Sequence, residues 1–345
     1  MKRRTFVKAA AAGTATGVSS FGILSSVAHA QSKEIRMIEA GGASGESVEK
    51  GYIEPLRAKT GINVVRESPN SLGKLRALVE SGQTSTALFE LGSGGLEQAV
   101  KLGLVEKVDW AAVNPKPMFP EAKHDYGFGY QYYSTIMAWR KGVKEPKTLV
   151  EFFDTKAFPG KRTLPDYPEN ILPFAAQAGG VPIDKVFPLD VDLAFKKLNE
   201  IKKDVAVWWK AGAQPPQLLK DNEVQYAIAW SGRVVNDPAI GVNFAGGKAN
   251  LSYFSIVKGA TANDKAAAWK LMHEMSLAEN QAKAAAVISY TGPSPDLDAL
   301  LPKDKLWQYP TSKQNKEVQY FEDAKWWADN GEAVNKKWEA FKLSL

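Results

Sequence analysis

The sequence predicts an α/β protein in which a mixed, mostly parallel sheet is flanked by helices. Segments with strand character and segments with helical periodicity alternate from Ile35 onward. Glycine-rich stretches stand between several predicted strands and the helices that follow them. The 345 residues are enough for two domains, and no internal repeat or low-complexity linker interrupts them. These observations favour two α/β units within one chain.

The first part of the chain has a βαβαβ order. Three short apolar runs predict strands, over Ile35 to Ala40, Asn63 to Arg66 and Ala87 to Leu91. Three periodic segments predict helices, from Glu46 to before Thr60, around Leu72 to Val79, and through Val100. Gly61 stands where a glycine commonly ends a helix. This order predicts parallel strands with helices on both faces of the sheet.

The second part of the chain repeats the alternation. Asp190 is positioned to cap a helix whose apolar face includes Val191 and Ile201. Strands are predicted over Val205 to Trp208 and Val224 to Ala229, and long amphipathic segments over Asn263 to Ala286 and Glu317 to Phe341. The tryptophans of the last segment, including Trp326 and Trp327, are predicted to pack in a core rather than to bind a ligand.

The first thirty residues have the features of a removable export signal. Four basic residues lie between Lys2 and Lys8, a weakly apolar stretch follows, and Ala28-His29-Ala30 offers the small-x-small pattern of a cleavage site. The consecutive arginines match the twin-arginine pattern. No cysteine is present to support a lipoprotein anchor. We therefore predict a cleavable signal peptide over residues 1–30 and a soluble periplasmic protein.

Composition argues against several classes of function. Without the leader, 40 basic residues face 38 acidic ones, so the net charge falls from +6 to about +2 and gives no reason to expect nucleic-acid binding. No apolar run approaches the ~20 residues that span a bilayer. His124 and His273 are the only histidines after the leader, and neither H-E-x-x-H nor G-x-S-x-G occurs. We therefore predict no catalytic residues, no metal and no cofactor; a periplasmic enzyme is the less favoured alternative.

Three loops could hold a ligand beyond the carboxyl ends of strands. They are Gly41 to Gly45, Gly92 to Gly95, and Trp230 to Arg233. Each leads from a strand into a helix, so free N–H groups would face a bound anion or carbonyl. The alternative is that these glycines only relieve turn strain. Neither glycine loop has the spacing of a phosphate loop or of a dinucleotide-binding motif.

Nine segments in order resemble the extracellular solute-binding proteins of ABC importers, and most closely the spermidine/putrescine-binding-like branch. They are EPLRAKTGINVV, KLRALVESGQTSTALFEL, AVKLGLVEKVDW, YGFGYQYYSTIMAWR, TLVEFFDTKAFPGKRTL, PLDVDLAFKKLNEIK, AIAWSGRV, IVKGATANDKAAAWKLM and ISYTGPSP. The resemblance implies a type II periplasmic binding protein whose two α/β lobes close on a small-molecule ligand by hinge bending. It also implies a membrane permease as partner, and we expect a monomer.

The resemblance further implies lobe boundaries and site residues. Lobe 1 would comprise 31–136 plus 254–301, and lobe 2 would comprise 137–253 plus 302–345. The chain would cross between lobes near Ile136 to Ala138 and near Ser252 to Val257. The family's ligand-facing positions correspond to Gly42, Ser44, Ser93, Tyr132, Asp166, Trp230 and Tyr253.

The charged residues of these loops favour a carboxylate or amino-carboxylate ligand. Arg233 begins a predicted helix, and its planar fork can bind a carboxylate through two hydrogen bonds. Arg140 and Arg162 could act likewise or form salt bridges. Polyamine binding is the alternative, but Tyr253 stands where polyamine receptors carry a second acid. Ferric iron, suggested by Tyr132-Tyr133, is less favoured because adjacent strand residues point to opposite faces.

Replacing both Arg3 and Arg4 with Lys tests the predicted export route. The twin-arginine signal is read by a receptor, so the variant precursor should remain in the cytoplasm. Cell fractionation and immunoblotting measure the precursor and mature forms, and Lys2→Arg, which keeps the arginine pair, serves as the control. Unchanged periplasmic delivery of the Lys-Lys variant would contradict the assignment.

Overall fold

The structure is a computed structural model that describes residues 34–82 and 85–345. The predicted signal peptide lies outside the described residues. Within them, no helix is both long enough and apolar enough to cross a membrane.

The described residues form eleven strands and fourteen α-helices. The strands are β1 (Glu34–Ile38), β2 (Asn63–Glu67), β3 (Leu88–Gly92), β4 (Val105–Glu106), β5 (Lys123–His124), β6 (Gly127–Arg140), β7 (Arg162–Pro165), β8 (Val205–Trp209), β9 (Tyr226–Trp230), β10 (Ile240–Val257) and β11 (Gln319–Phe321). The helices are α1 (Gly42–Val48), α2 (Glu54–Thr60), α3 (Leu72–Glu80), α4 (Ser93–Lys101), α5 (Trp110–Val113), α6 (Leu149–Phe153), α7 (Pro168–Ala178), α8 (Val191–Ile201), α9 (Gln214–Lys220), α10 (Ser231–Val234), α11 (Ala262–Ser276), α12 (Ala278–Val287), α13 (Lys313–Lys316) and α14 (Ala324–Lys342). A π-helix, Glu49–Ile53, joins α1 to α2, and 3-10 helices cover Pro120–Ala122, Ile183–Lys185, Lys202–Asp204, Leu297–Ala299 and Lys303–Gln308.

The described strands belong to one mixed sheet. Its order is β2-β1-β3-β10-β6-β9-β7-β8, with β4 and β11 paired to β10 and β5 paired to β6. β1 is parallel to β2 and β3, and β7 is parallel to β8 and β9. The long antiparallel strands β6 and β10 join these two parallel groups. The predicted α/β fold class is confirmed.

Strands β6 and β10 run alongside each other through the centre of the sheet. Their pairing extends from Arg140 opposite Ile240 to Phe128 opposite Phe254. Both predicted crossings between lobes fall within these two strands. The lobe boundaries themselves stay a prediction.

Local signals placed most of the predicted elements correctly. Gly61 ends α2 in the left-handed region with a φ of 71°, and the Asp190 carboxylate accepts a hydrogen bond from the Leu193 N–H at 2.9 Å. The first helix begins earlier than the predicted Glu46, because Gly41 and Gly42 complete the turn with φ values of 83° and 59°. The predicted tail helix is preceded by the short strand β11, and the segment before it divides into α11 and α12.

Buried apolar side chains form separate cores on the two sides of the central strands. One core combines residues of β1, β3, α11 and the first half of β6. A second core combines α7, α8 and α14 with the second half of β6. Trp327 and Trp338 of α14 are 8% and 2% exposed and pack in this second core as predicted, and both also border a cavity described below.

Arg162 neither binds in a cleft nor forms a salt bridge within the described part of the chain. Its side chain is fully buried, and Nη2 donates to the carbonyls of Phe152 and Phe158 at 3.3 and 2.6 Å. The guanidinium also lies 4.7 Å from the ring centroid of Tyr226. Burial lowers the pKa of this guanidinium. Arg140 likewise donates to backbone carbonyls. Arg162 is therefore a core residue whose hydrogen bonds hold the chain before β7 in place.

Arg162→Met should lower the free energy of unfolding by about 2–4 kcal/mol, because it leaves buried carbonyls without donors. Urea denaturation followed by circular dichroism measures the change. Arg36→Met is the matched control: Arg36 is 44% exposed in a surface ion pair, so its loss should cost about 0.5 kcal/mol or less. Equal effects of the two variants would refute the core role of Arg162.

Candidate ligand-binding cleft

The three loops predicted from the sequence meet at one cavity of about 310 Å³, termed the first cavity. Gly41 follows β1, Gly92 ends β3, and Trp230 and Arg233 lie at the end of β9 and in α10. The lining residues are Ala40, Gly41, Ser44, Asn70, Glu90, Gly92, Gln131, Tyr133, Trp230, Arg233, Ser252 and Tyr290. Their convergence favours a cleft over glycines that serve only as turns.

Arg233 gives the first cavity a positive charge without a counter-charge. Among the described residues, no carboxylate oxygen lies within 4.0 Å of its guanidinium, and the buried Nε has no hydrogen-bond partner. Its Nη2 atom lies 4.0 Å from the position that a Cβ would take at Gly42. The side chain therefore points across the first loop and is free to pair with an anion.

Aromatic rings form two walls of the first cavity. The ring of Tyr133 lies 6.2 Å from that of Trp230, edge to face, and 5.5 Å from that of Tyr290. A Cβ added at Gly212 would overlap the Trp230 ring, and one added at Gly232 would overlap the Tyr290 ring. These two glycines allow the rings to sit back from the cavity. Burial raises the pKa of Tyr290 to about 12, so its hydroxyl stays neutral at physiological pH.

Glu90 gives the same cavity a buried carboxyl group. It is 4% exposed, and its Oε2 accepts the Ala40 N–H at 2.7 Å. Burial raises the pKa of Glu90, although the Ala40 N–H acts in the opposite direction by favouring the charged form. The first cavity thus holds the Glu90 carboxyl group and the Arg233 guanidinium, which do not form an ion pair with each other.

Polar side chains around the cavity are held in place by their neighbours. The Ser44 hydroxyl donates to Oε1 of Gln131 at 2.7 Å, and Nε2 of Gln131 donates to the Ser47 hydroxyl at 3.1 Å. Nδ2 of Asn70 donates to the Glu90 carbonyl at 2.9 Å. Such preorganised groups give a ligand fixed hydrogen-bond partners.

A larger second cavity of about 490 Å³ adjoins the first. Gly92 and Tyr133 lie in the walls of both. The other lining residues of the second cavity are Ser93, Gly94, Gly95, Gln98, Asp166, Tyr167, Pro168, Glu169, Asn170, Lys248, Asn250, Leu251, Glu322, Trp327, Gly331, Asn335, Trp338, Glu339 and Lys342.

Comparisons with known proteins agree with this geometry. The family model described as bacterial extracellular solute-binding protein matches residues 51–314. The chain belongs to this family. The gamma-aminobutyric acid-binding protein of Pseudomonas aeruginosa is 31% identical over 338 residues, covering 94% of this chain and 95% of that relative.

Solved structures of solute-binding proteins share the fold. An ABC transporter substrate-binding protein from Bradyrhizobium japonicum USDA 110 has a TM-score of 0.84 at 31% identity, covering 89% of this chain and 99% of that one. The structure described as the Atu4243-GABA receptor has a TM-score of 0.81 at 29% identity, covering 89% and 97%. This solute-binding protein is therefore the substrate-binding component of an ABC importer and not an enzyme. It binds a small polar solute and works with a membrane permease.

The eight site residues predicted from the sequence occupy different places in this solute-binding protein. Ser44, Trp230 and Arg233 line the first cavity, and Gly42 lies beside Arg233. Ser93 and Asp166 line the second cavity. The Asp166 carboxylate is 6% exposed and accepts from Nε1 of Trp338 at 3.0 Å, and it also lies within 3.6 Å of two lysine ammonium groups.

Tyr132 and Tyr253 are not in the wall of either cavity. Tyr132 is fully buried and packs edge to face on Phe119, because its neighbour Tyr133 takes the cavity side of β6. The Tyr253 hydroxyl donates to the Glu121 carbonyl at 2.9 Å on the far side of β10. Of the tyrosine pair, Tyr133 and not the predicted Tyr132 lines the two cavities.

Sequence reasoning missed Glu90, Tyr133 and Tyr290 as cavity residues. Glu90 interrupts the apolar strand ALFEL, and an acid within a buried strand is itself a signal for function. Strand alternation could have offered Tyr133 as readily as Tyr132. Tyr290 comes from a segment after α12 that no local pattern connects to the cavity.

Glu90→Gln should stabilise the unliganded protein at neutral pH but not in acid. The pKa of Glu90 in the folded protein is raised above the ordinary value of 4.5. The folded protein therefore loses stability as the pH rises from 4.5 through this raised pKa. A neutral glutamine removes this loss. Thermal unfolding at about pH 4 and about pH 8 measures it. Glu317→Gln, at an exposed position, is the control; a pH-independent difference for Glu90→Gln would contradict the prediction.

Proposed function

We propose that this solute-binding protein captures an amino carboxylate in the first cavity, with the ligand carboxylate bound by Arg233. The supporting observation is that Arg233 lines the cavity with a buried Nε and no carboxylate partner among the described residues. Arg233 as a whole is half-buried, and a partly desolvated cation without a counter-charge is unfavourable. A ligand carboxylate would supply that charge and match the guanidinium fork.

The ammonium group of the ligand would lie near Glu90. This carboxyl group lines the same cavity, and a nearby positive charge would favour its ionised form. The faces of Tyr133 and Trp230 would add cation–π attraction. A ligand with both charges would neutralise Arg233 and Glu90 together. Two relatives named for γ-aminobutyric acid support 4-aminobutyrate as the reference ligand.

The alternatives fit this cavity less well. A polyamine would bring only positive charge towards Arg233, which repels a cation. Ferric iron would need both tyrosines of the pair, but Tyr132 packs in the core while Tyr133 lines the cavity.

The protein would act in the periplasm as a monomer after removal of residues 1–30. The basic start and the Ala28-His29-Ala30 pattern support export and cleavage. The near balance of charge in the remaining chain supports a function without nucleic acid.

Arg233→Ala should weaken 4-aminobutyrate binding roughly thirtyfold to several thousandfold, because it leaves a buried carboxylate unpaired at a cost of ~2–5 kcal/mol. Isothermal titration calorimetry measures the affinity. Arg140→Ala is the matched control, since Arg140 donates to the carbonyls of Leu219 and Lys220 and lines neither cavity.

Putrescine and butyrate separate the charge contributions in the same experiment. Butyrate should bind more weakly than 4-aminobutyrate but should still depend on Arg233, whereas putrescine should bind poorly to the native protein. Tight putrescine binding that survives Arg233→Ala would overturn the proposal.

A further inference from the structure

Glu39 is a second buried acid at the first loop, and it does not line the first cavity itself. The residue follows β1 and is 2% exposed, and its N–H donates to the Glu67 carbonyl at 2.9 Å. Its Oε2 accepts the N–H of Gly41. Because Gly41 is part of the cavity wall, the Glu39 carboxylate holds this wall from the side that faces the protein.

Arg66 of β2 fixes the carboxylate of Glu39. Its Nε and Nη2 both lie 3.4 Å from Oε1 of Glu39, while the Gly41 N–H donates to Oε2. Nη1 of Arg66 lies 3.4 Å from Oε2 of Glu49, and the Arg66 side chain is 23% exposed. A buried carboxylate with an arginine on one oxygen and a backbone N–H on the other has little freedom to move.

Gly45 leaves the space that the Glu39 carboxyl group occupies. A Cβ added at Gly45 would lie 2.5 Å from Oε1 and 2.7 Å from Oε2 of Glu39. The Gly45 N–H donates to the Gly41 carbonyl at 3.2 Å, so both glycines belong to the same turn into α1. A side chain at position 45 would therefore displace the carboxylate from the Gly41 N–H.

The turn connects Glu39 to Glu90 through consecutive backbone N–H groups. Glu90 accepts from Ala40 at 2.7 Å, and Glu39 accepts from Gly41, the next residue. A shift of the turn at Gly41 therefore also shifts the donor that holds Glu90. Both N–H groups are engaged by carboxyl groups of the protein, so neither is left for the ligand carboxylate that Arg233 would bind.

We infer that Glu39 is a positioning residue for ligand binding, which acts through the Gly41 turn to keep Glu90 oriented towards the ligand ammonium. Glu39 does not line the first cavity, whereas Glu90 does. Displacing the Glu39 carboxylate should weaken binding of the ammonium end, while Arg233 of α10, a separate part of the chain, still binds the carboxylate end. The inference rests on the proposed function, since it assumes that the ligand ammonium lies near Glu90.

Arg66→Met should weaken 4-aminobutyrate binding about tenfold, because Glu39 loses the group that orients it, and should change the affinity for butyrate, which has no ammonium, by less than about twofold. Isothermal titration calorimetry measures both affinities, and urea denaturation measures stability separately. Arg57→Met is the matched control, since Arg57 pairs with Glu49 at 3.0 Å and forms no ion pair with Glu39 in the described structure. A role in stability alone would lower the urea midpoint without changing the ratio of the two affinities, and this outcome would refute the inference.

Gly45→Ala gives an independent check that leaves every charge in place. The added methyl group must displace the Glu39 carboxyl group, which is the flexible end of a side chain, so the variant should fold. It should again weaken 4-aminobutyrate about tenfold and leave butyrate nearly unchanged. Gly73→Ala, in α3, is the control, because no neighbouring atom would lie within 4 Å of its new methyl group. Native affinity for 4-aminobutyrate in Gly45→Ala would overturn the inference.

The proposed function and the positioning role fail in different ways. If the native protein binds 4-aminobutyrate no more tightly than butyrate, the ammonium gains nothing at Glu90, and both proposals are wrong. If the native protein prefers 4-aminobutyrate but either Arg66→Met or Gly45→Ala keeps the full preference, the proposed function stands and the positioning role of Glu39 is wrong.

Discussion

The pairing of β6 with β10 is the constraint on which the cleft depends. Ser252 of β10 lies opposite Gln131 of β6 on one side and opposite Gly92 of β3 on the other. Hydrogen-bonded strands lie about 4.8 Å apart, so the backbone itself sets the spacing of these cavity residues. A slip of one residue would turn Tyr133 into the core and Tyr132 into the cavity. The register is fixed because Tyr132 is fully buried in the first core.

This scaffold tolerates opposite charges that do not neutralise each other. Arg233 of α10 and Glu90 of β3 line one cavity, yet no ion pair joins them in the described structure. Each group is partly desolvated without an opposite charge beside it, which is unfavourable. Stability must therefore come from elsewhere, in particular from the cores around β6 and α14. The proposed zwitterionic ligand would contribute the two missing charges and would make the same groups favourable once it binds.

The sequence was sufficient for the fold and for the approximate position of the cleft, because both depend on local patterns. Gly61 and the Asp190 cap marked helix ends, and strand-to-helix turns marked the loops that meet at the first cavity. It was insufficient where long-range packing decides which side chain faces the ligand. Tyr290 reaches the cavity through packing on Tyr133, which no local pattern records. Likewise Arg162 was ambiguous as sequence, since only burial separates a core arginine from a ligand-binding one.

The glycines of the cleft act in two different ways, and backbone geometry distinguishes them. Gly41 has a φ of 83°, so its turn requires a residue without a Cβ. Gly92 has an ordinary backbone conformation and open space around it, so turn strain does not explain it. Gly212 instead provides room behind Trp230. Gly41 therefore determines how the chain folds, whereas Gly92 and Gly212 determine the volume left for the ligand. The alternative that glycines only relieve turn strain thus holds for Gly41 and fails for Gly92, at the junction of the two cavities.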